Sequence, residues 1–129
     1  MFKKIIIRVL VVLLLILGVG RLAIHLMSKN LVKDVSVSNV EFTNLKDGEY
    51  TGSVSKEPIT VQLKVIVKDT KIVDIVIIEH KNGLGKQGEK VIDEVLSKQS
   101  LNVDTISGAT ASSKVILKAI ENALMESKI

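Results

Sequence analysis

From Ile59 to Lys68 the side chains alternate almost without a break. Ile59, Val61, Leu63, Val65 and Val67 occupy one register, and Thr60, Gln62, Lys64, Ile66 and Lys68 the other. Successive side chains of a strand point to opposite faces, so a period of two is what a strand with one buried face requires; wound as a helix, the same valines would face every direction. Lys68-Asp69-Thr70-Lys71 separates this run from a second one, Ile72 to His80, and the spacing predicts an antiparallel hairpin. The second run carries apolar residues on both faces, Asp74 excepted, and is expected to be the more deeply buried strand. Upstream, Asp47-Gly48 is a turn signal, and Glu49 to Val54 reads as a short strand that ends near Ser55 to Pro58.

Beyond the hairpin the period changes. Lys81 to Gly88 carries three glycines and no apolar rhythm, which predicts a loop. Val91, Ile92, Val95 and Leu96 make an apolar stripe opposed by Lys90, Asp93, Glu94 and Lys98, the pattern of an amphipathic helix. Leu101 to Ala111 reads as loop with room for a short strand. A last helix is predicted from about Ser112 to Glu126, burying Val115, Ile116, Ala119, Ile120, Ala123 and Leu124. The expected class is α+β: a small antiparallel sheet with two packed helices. A chain of 129 residues suits one such domain beside its N-terminal segment.

That segment is directed to a membrane. Lys3 and Lys4 precede Ile5 to Ile7 and Arg8, and Val9 to Gly20 is wholly apolar or glycine. Taken from Ile5 to Met27, a helix would reach about 34 Å, enough to cross a hydrocarbon layer of roughly 30 Å, with Arg8 and Arg21 snorkelling near its ends. A signal peptide shares this layout, with Gly18 and Gly20 as a weak small-x-small site. A retained anchor is the preferred reading, because no Ala-x-Ala follows the apolar run. The basic start favours a cytoplasmic N-terminus and an extracytoplasmic domain, although Arg21, Lys29 and Lys33 weaken the asymmetry. The expected division is an anchor or signal-like segment over residues 1–30, a stalk over 31–45 with a mild alternation at Val35, Val37 and Val40 suited to an edge strand, and a folded domain over 46–129.

Several kinds of chemistry fall away on composition. The formal charge of +4 is concentrated in Lys3, Lys4, Arg8, Arg21 and Lys29, leaving thirteen lysines against fourteen carboxylates from Leu31 onward. Such a balance gives nucleic acid no phosphate-neutralising surface, and Phe2, Phe42 and Tyr50 are the sole aromatics available for stacking. The lack of cysteine removes disulfides, thiolate metal sites and a nucleophilic thiol. His25 lies in the membrane-directed segment and His80 at a strand end, where a solvent-facing side chain is expected; neither has metal-ligand spacing. Gly83, Gly85 and Gly88 spell G-x-G-x-x-G, but a hairpin strand before them and a short helix after them do not make the βαβ unit of a dinucleotide site.

What remains is Asp104-Thr105-Ile106-Ser107-Gly108-Ala109-Thr110-Ala111-Ser112-Ser113, just ahead of the last helix. One reading is plain helix capping by a serine or threonine. The other is an anion site, since free amides and the positive end of the helix dipole face whatever lies there, and Gly108 and Ala109 permit close approach. Spacing alone favours capping, yet one hydroxyl suffices for a cap and five are present.

The run Asp104-Thr105-Ile106-Ser107-Gly108-Ala109-Thr110 resembles the flavinylation motif D-x-x-S/T-G-A-T of the FMN-binding domain family, found in flavoprotein subunits of sodium-pumping and related membrane oxidoreductases. Asp47-Gly48-Glu49-Tyr50-Thr51-Gly52 resembles the family's D-G-x-Y-x-G opening, Ile59 to His80 its hairpin, and Gly83-Leu84-Gly85 its P-G-L-G loop without the proline. The likeness covers about residues 45–125. It implies FMN joined through its phosphate to Thr110 by a separate flavin transferase that consumes FAD, with Asp104, Ser107, Gly108 and Ala109 shaping the loop. Thr70 stands where the family often has a turn glycine, and Ser112 where a second threonine is common, which leaves less ambiguity about the acceptor. A phosphate tether leaves the ring free for one- or two-electron chemistry. The resemblance thus implies an electron carrier in or beside the membrane, working with a membrane redox partner. A membrane-anchored sensory or adaptor module without flavin, and a domain binding FMN noncovalently, are the alternatives.

Overall fold

The computed structural model describes residues 1–38, 40, 42–81 and 86–127, with the side chains of residues 27–34 outside that description. It divides into two compact units, Met1–Asn30 and Leu31–Ile129. The first unit lies within α1 (Phe2–Asp34), of which Phe2–Leu26 is long and apolar enough to cross a membrane and buries no side chain within the protein.

The second unit is an α+β domain. Its sheet comprises β1 (Gly48–Lys56), β2 (Ile59–Lys68) and β3 (Lys71–Lys81), antiparallel in the order β1-β2-β3. A short 3-10 helix (Lys86–Lys90), α2 (Val91–Lys98) and α3 (Thr110–Ser127) follow. The alternation in β2 behaves as its sequence demands: Ile59, Val61, Leu63, Val65 and Val67 are all buried. They meet Val91 and Val95 of α2 and Val115, Ile116, Ala119, Ile120, Ala123 and Leu124 of α3 in one core.

The expectation for β3 is corrected. β2, not β3, is the central strand, and β3 buries Ile72 and Ile75 while Val73, Val76 and Ile78 stay exposed. Register shifts at Gln62/Leu63 and Ile66/Val67 insert extra residues into β3, and each such bulge turns an apolar side chain out of the pleat that would have buried it. The open edge is partly closed by side chains. Gln99 presents its amide to Ile72, accepting from the N–H at 2.9 Å and donating to the C=O at 2.8 Å. Asp74 accepts the N–H of Ile75 at 2.8 Å. Backbone groups already satisfied in this way are poor templates for another strand.

α3 lies against the sheet at one point of unusually close approach. A Cβ on Gly52 would overlap the carbonyl oxygen of Ala119 and lie 2.8 Å from the Ala123 nitrogen. Asn122 extends the contact by donating to the Ser53 carbonyl at 3.1 Å. The residues ahead of β1 form no strand among those described; instead Val35 and Leu45 are buried in the same core. Ser38 donates its N–H to the buried Glu121 carboxylate at 3.1 Å, and Lys118 pairs with the same oxygen.

Candidate functional site

The motif folds as a turn that runs directly into α3. The Ala109 N–H returns to the Ile106 carbonyl at 2.9 Å, and Gly108 has φ +79°. A four-residue turn with positive φ at its third position is where glycine is favoured, because any Cβ there crowds the following carbonyl. Space is no constraint, as nothing lies within 4 Å of where that Cβ would be. The Ser107-Gly108-Ala109 part of the motif is therefore turn chemistry first.

Ala109 then opens the helix. Its carbonyl accepts the first helical bond, from the Ser113 N–H at 2.9 Å, which makes Ala109 the N-cap and Thr110 the first helical residue. α3 starts two residues ahead of the Ser112 expected from sequence. The consequence is chemical, because an alanine has no side-chain oxygen to turn back on the first turn. Among the described residues no protein acceptor meets the N–H groups of Thr110, Ala111 and Ser112, and no acidic residue sits in that turn. The Ala109 methyl is buried in the protein, so the approach to the site runs past Gly108 and Thr110.

The five hydroxyls divide their work. Ser113 is fully buried, accepting the Ile106 N–H at 3.0 Å and donating to the Ala109 carbonyl at 2.7 Å, so that one side chain fastens both ends of the turn. Ser112 is buried against the 3-10 helix, where a Cβ on Gly88 would stand 2.9 Å from the Ser112 Cβ and 3.0 Å from the Ser113 nitrogen. Thr105 is half-buried. Ser107 and Thr110 are exposed, and the hydroxyl of neither makes a hydrogen bond to another described residue. Asp104 is likewise exposed in the loop ahead of the turn. Hence Asp104, Ser107, Gly108 and Thr110 share one solvent-facing stretch, with Ala109 beneath it.

The sequence reading did not assign a role to Ser113, Gly88 or His80. Serine four residues after the N-cap is a recognised back-bonding position, so the signal for Ser113 was present in its spacing. Gly88 is no part of a dinucleotide turn: it lies in a 3-10 helix after an antiparallel strand. Gly83 and Gly85 lie outside the described residues. The expectation of a solvent-facing His80 is corrected too, since its side chain is 3% exposed and pairs with Glu89. His25 is exposed on α1.

An antiparallel sheet backed by helices, with one helix start left open to an anion, defines an α+β domain suited to a phosphate-bearing ligand. Comparison with known proteins makes this specific. Residues 55–125 match the FMN-binding domain model, and the chain belongs to that family. Over 96 residues, 72% of its length, it is 31% identical to a protein named NADH:acrylate oxidoreductase from Vibrio harveyi, of which it spans 9%. The residues fit the cofactor's phosphate: three amides with no acceptor among the described residues, a first helical turn without an acidic residue and the exposed Thr110 hydroxyl lie together at the start of α3.

Proposed function

We propose that this protein is a membrane-tethered electron-transfer flavoprotein that carries FMN as a phosphoester on Thr110. The observation that carries the reading is the division of hydroxyls at the start of α3. Ser112 and Ser113 are buried and Ser113 is fully engaged, whereas Thr110 offers an exposed, unbonded Oγ beside three free amides. In attachment, the Thr110 Oγ would form a bond to the phosphorus of the FMN half of FAD as the pyrophosphate P–O bond breaks. AMP leaves with the bridging oxygen, and the threonine proton passes to the transferase. The amides of Thr110, Ala111 and Ser112 would stabilise the negative phosphate, and the Ser113-fastened turn would hold the acceptor still.

Bound FMN supplies one- or two-electron redox chemistry. A redox role also accords with the name of the Vibrio harveyi relative, although this chain matches too little of that protein to inherit its substrates. In this reading α1 is a retained anchor with its basic end in the cytoplasm, the domain lies on the extracytoplasmic side, and a covalent bond keeps the cofactor where none can be resupplied. Electrons would come from one membrane partner and pass to another.

The test is co-production of the full chain with a flavin transferase. A fluorescent band in a denaturing gel and a mass gain of one FMN are expected, and Thr110→Ala should lose both. An adduct that persists in the alanine variant would move the attachment elsewhere. Yellow colour released on denaturation would make the binding noncovalent, and a colourless wild-type protein would favour an adaptor module.

A further inference from the structure

A side-chain contact joins β3 to the 3-10 helix. His80, near the end of β3, places Nδ1 2.7 Å from Oε1 of Glu89. The imidazole is 3% exposed and the carboxylate side chain 33%, so the pair reaches from the interior to water. His80 is opposite the fully buried Val61 of β2. Glu89 belongs to the 3-10 helix, of which Gly88 is the one buried residue.

Gly88 precedes Glu89 and lies flush against Ser112 and Ser113. The 3-10 helix is therefore gripped from two sides, by an imidazole on the sheet and by the first turn and a half of α3. Beyond that grip, Ser113 holds Ile106 and Ala109, and Ala109 is bonded to Thr110. A continuous line of contacts thus runs from His80 to the acceptor residue. Its links are hydrogen bonds, peptide bonds and, at Gly88, a packed surface with no slack for a methyl group, the kind of path along which a displacement is transmitted.

We propose that His80 is a positioning residue for flavin attachment. Its hydrogen bond to Glu89 holds the 3-10 helix against the start of α3, and so keeps the Ile106–Ala109 turn and the Thr110 hydroxyl in the conformation that the transferase meets. The inference rests on attachment at Thr110 and adds a residue well upstream of the motif. His80 takes no part in bond making; the Thr110 oxygen still displaces AMP as described above.

The full chain, as wild type, His80→Gln, His80→Asn and Glu89→Ala, is incubated with FAD and limiting flavin transferase, and covalent fluorescence is followed in time. Asparagine carries its amide nitrogen near the place of Nδ1, whereas glutamine carries it near that of Nε2, so only asparagine restores the bond to Glu89. The glutamine and alanine variants are expected to label about tenfold more slowly, the scale set by losing one hydrogen bond to a charged group. Their final labelling should be complete, and His80→Asn should return to within about twofold of wild type. In the flavin-free protein, amide exchange at Ile106 and Ser113 should accelerate in His80→Gln and Glu89→Ala. Val61 and Val65 in β2 should stay protected, which shows that the domain is intact.

Labelling of the glutamine and alanine variants at the wild-type rate would overturn the proposal, as would an asparagine variant as slow as the glutamine one. Should His80→Gln fail to fold, Glu89→Ala removes the same bond at a part-exposed position and decides the matter. If the wild type itself takes up no covalent flavin, the attachment reading falls. Exchange at Ile106 and Ser113 then still decides whether the clasp holds the turn: faster exchange sustains it, and unchanged exchange refutes it.

Discussion

Replacing Gly52 with alanine tests whether the sheet and α3 are as closely packed as the structure shows. The added methyl would overlap the Ala119 carbonyl oxygen and stand 2.8 Å from the Ala123 nitrogen and 2.9 Å from its Cβ. Two of these three neighbours are backbone atoms of a helix, which cannot rotate aside as a flexible side chain can. Relief requires α3 to move off the sheet as a body, loosening Ile116, Ile120 and Leu124 from β2. Overpacking in cores costs about 1–3 kcal/mol, and a contact with no soft partner belongs at the top of that range. For a domain of this size about 3 kcal/mol lowers Tm by roughly 12–24 °C. The assay is thermal unfolding of the full chain in detergent micelles, followed by circular dichroism, with Gly108→Ala as the control. Gly108 has open space around it and φ +79°, so alanine there carries backbone strain alone, about 1 kcal/mol. A Gly52→Ala protein that melts within about 3 °C of wild type, or above Gly108→Ala, would refute the packing argument.

Ser113→Ala removes both hydrogen bonds that fasten the motif turn and strands the Ile106 N–H; a loss of about 1–3 kcal/mol is expected in urea unfolding, with faster amide exchange at Ile106 before anywhere in β2. Thr70→Gly should do the opposite. Asp69 and Thr70 both have positive φ, at 53° and 62°, and a β-branched residue is strained there where glycine is not. The variant should gain about 0.5–1 kcal/mol, seen as a rise of a few degrees in Tm, and no gain would mean that the Thr70 hydroxyl bond to Asp69 offsets the strain.

The parts of the fold legible in the sequence are those where one pattern has one physical meaning. Strict alternation in β2 and the 3.6 period of α3 are such patterns, and both strand and helix bury the residues they single out. An apolar run such as Ile72 to Ile78 has two meanings, a buried strand or an exposed one bent by bulges, and the number of extra residues in a ladder is set by its partner strand. Val35 and Leu45 join the core from a segment whose mild alternation at Val35, Val37 and Val40 suggested an edge strand, and which forms no strand among the described residues. The His80–Glu89 contact leaves no trace in spacing at all, because it joins two different elements, β3 and the 3-10 helix.

At the motif the sequence posed a choice between capping and anion binding, and the choice turned on which residue occupies the cap. Spacing alone made a serine or threonine cap the economical expectation, although a cap needs one hydroxyl and nine positions hold five. The cap is Ala109, which has no side-chain oxygen with which to perform the task. Alanine there forgoes about 1 kcal/mol that a serine, asparagine or aspartate would contribute to α3. Its small methyl is buried, which accounts for the residue sterically; it does not account for the amides left open beside it. A hydroxyl cap would consume one of those amides. With alanine at the cap and threonine next, the amides of the first turn stay open beside the exposed Thr110 hydroxyl, the arrangement that the proposed phosphoester on Thr110 calls for.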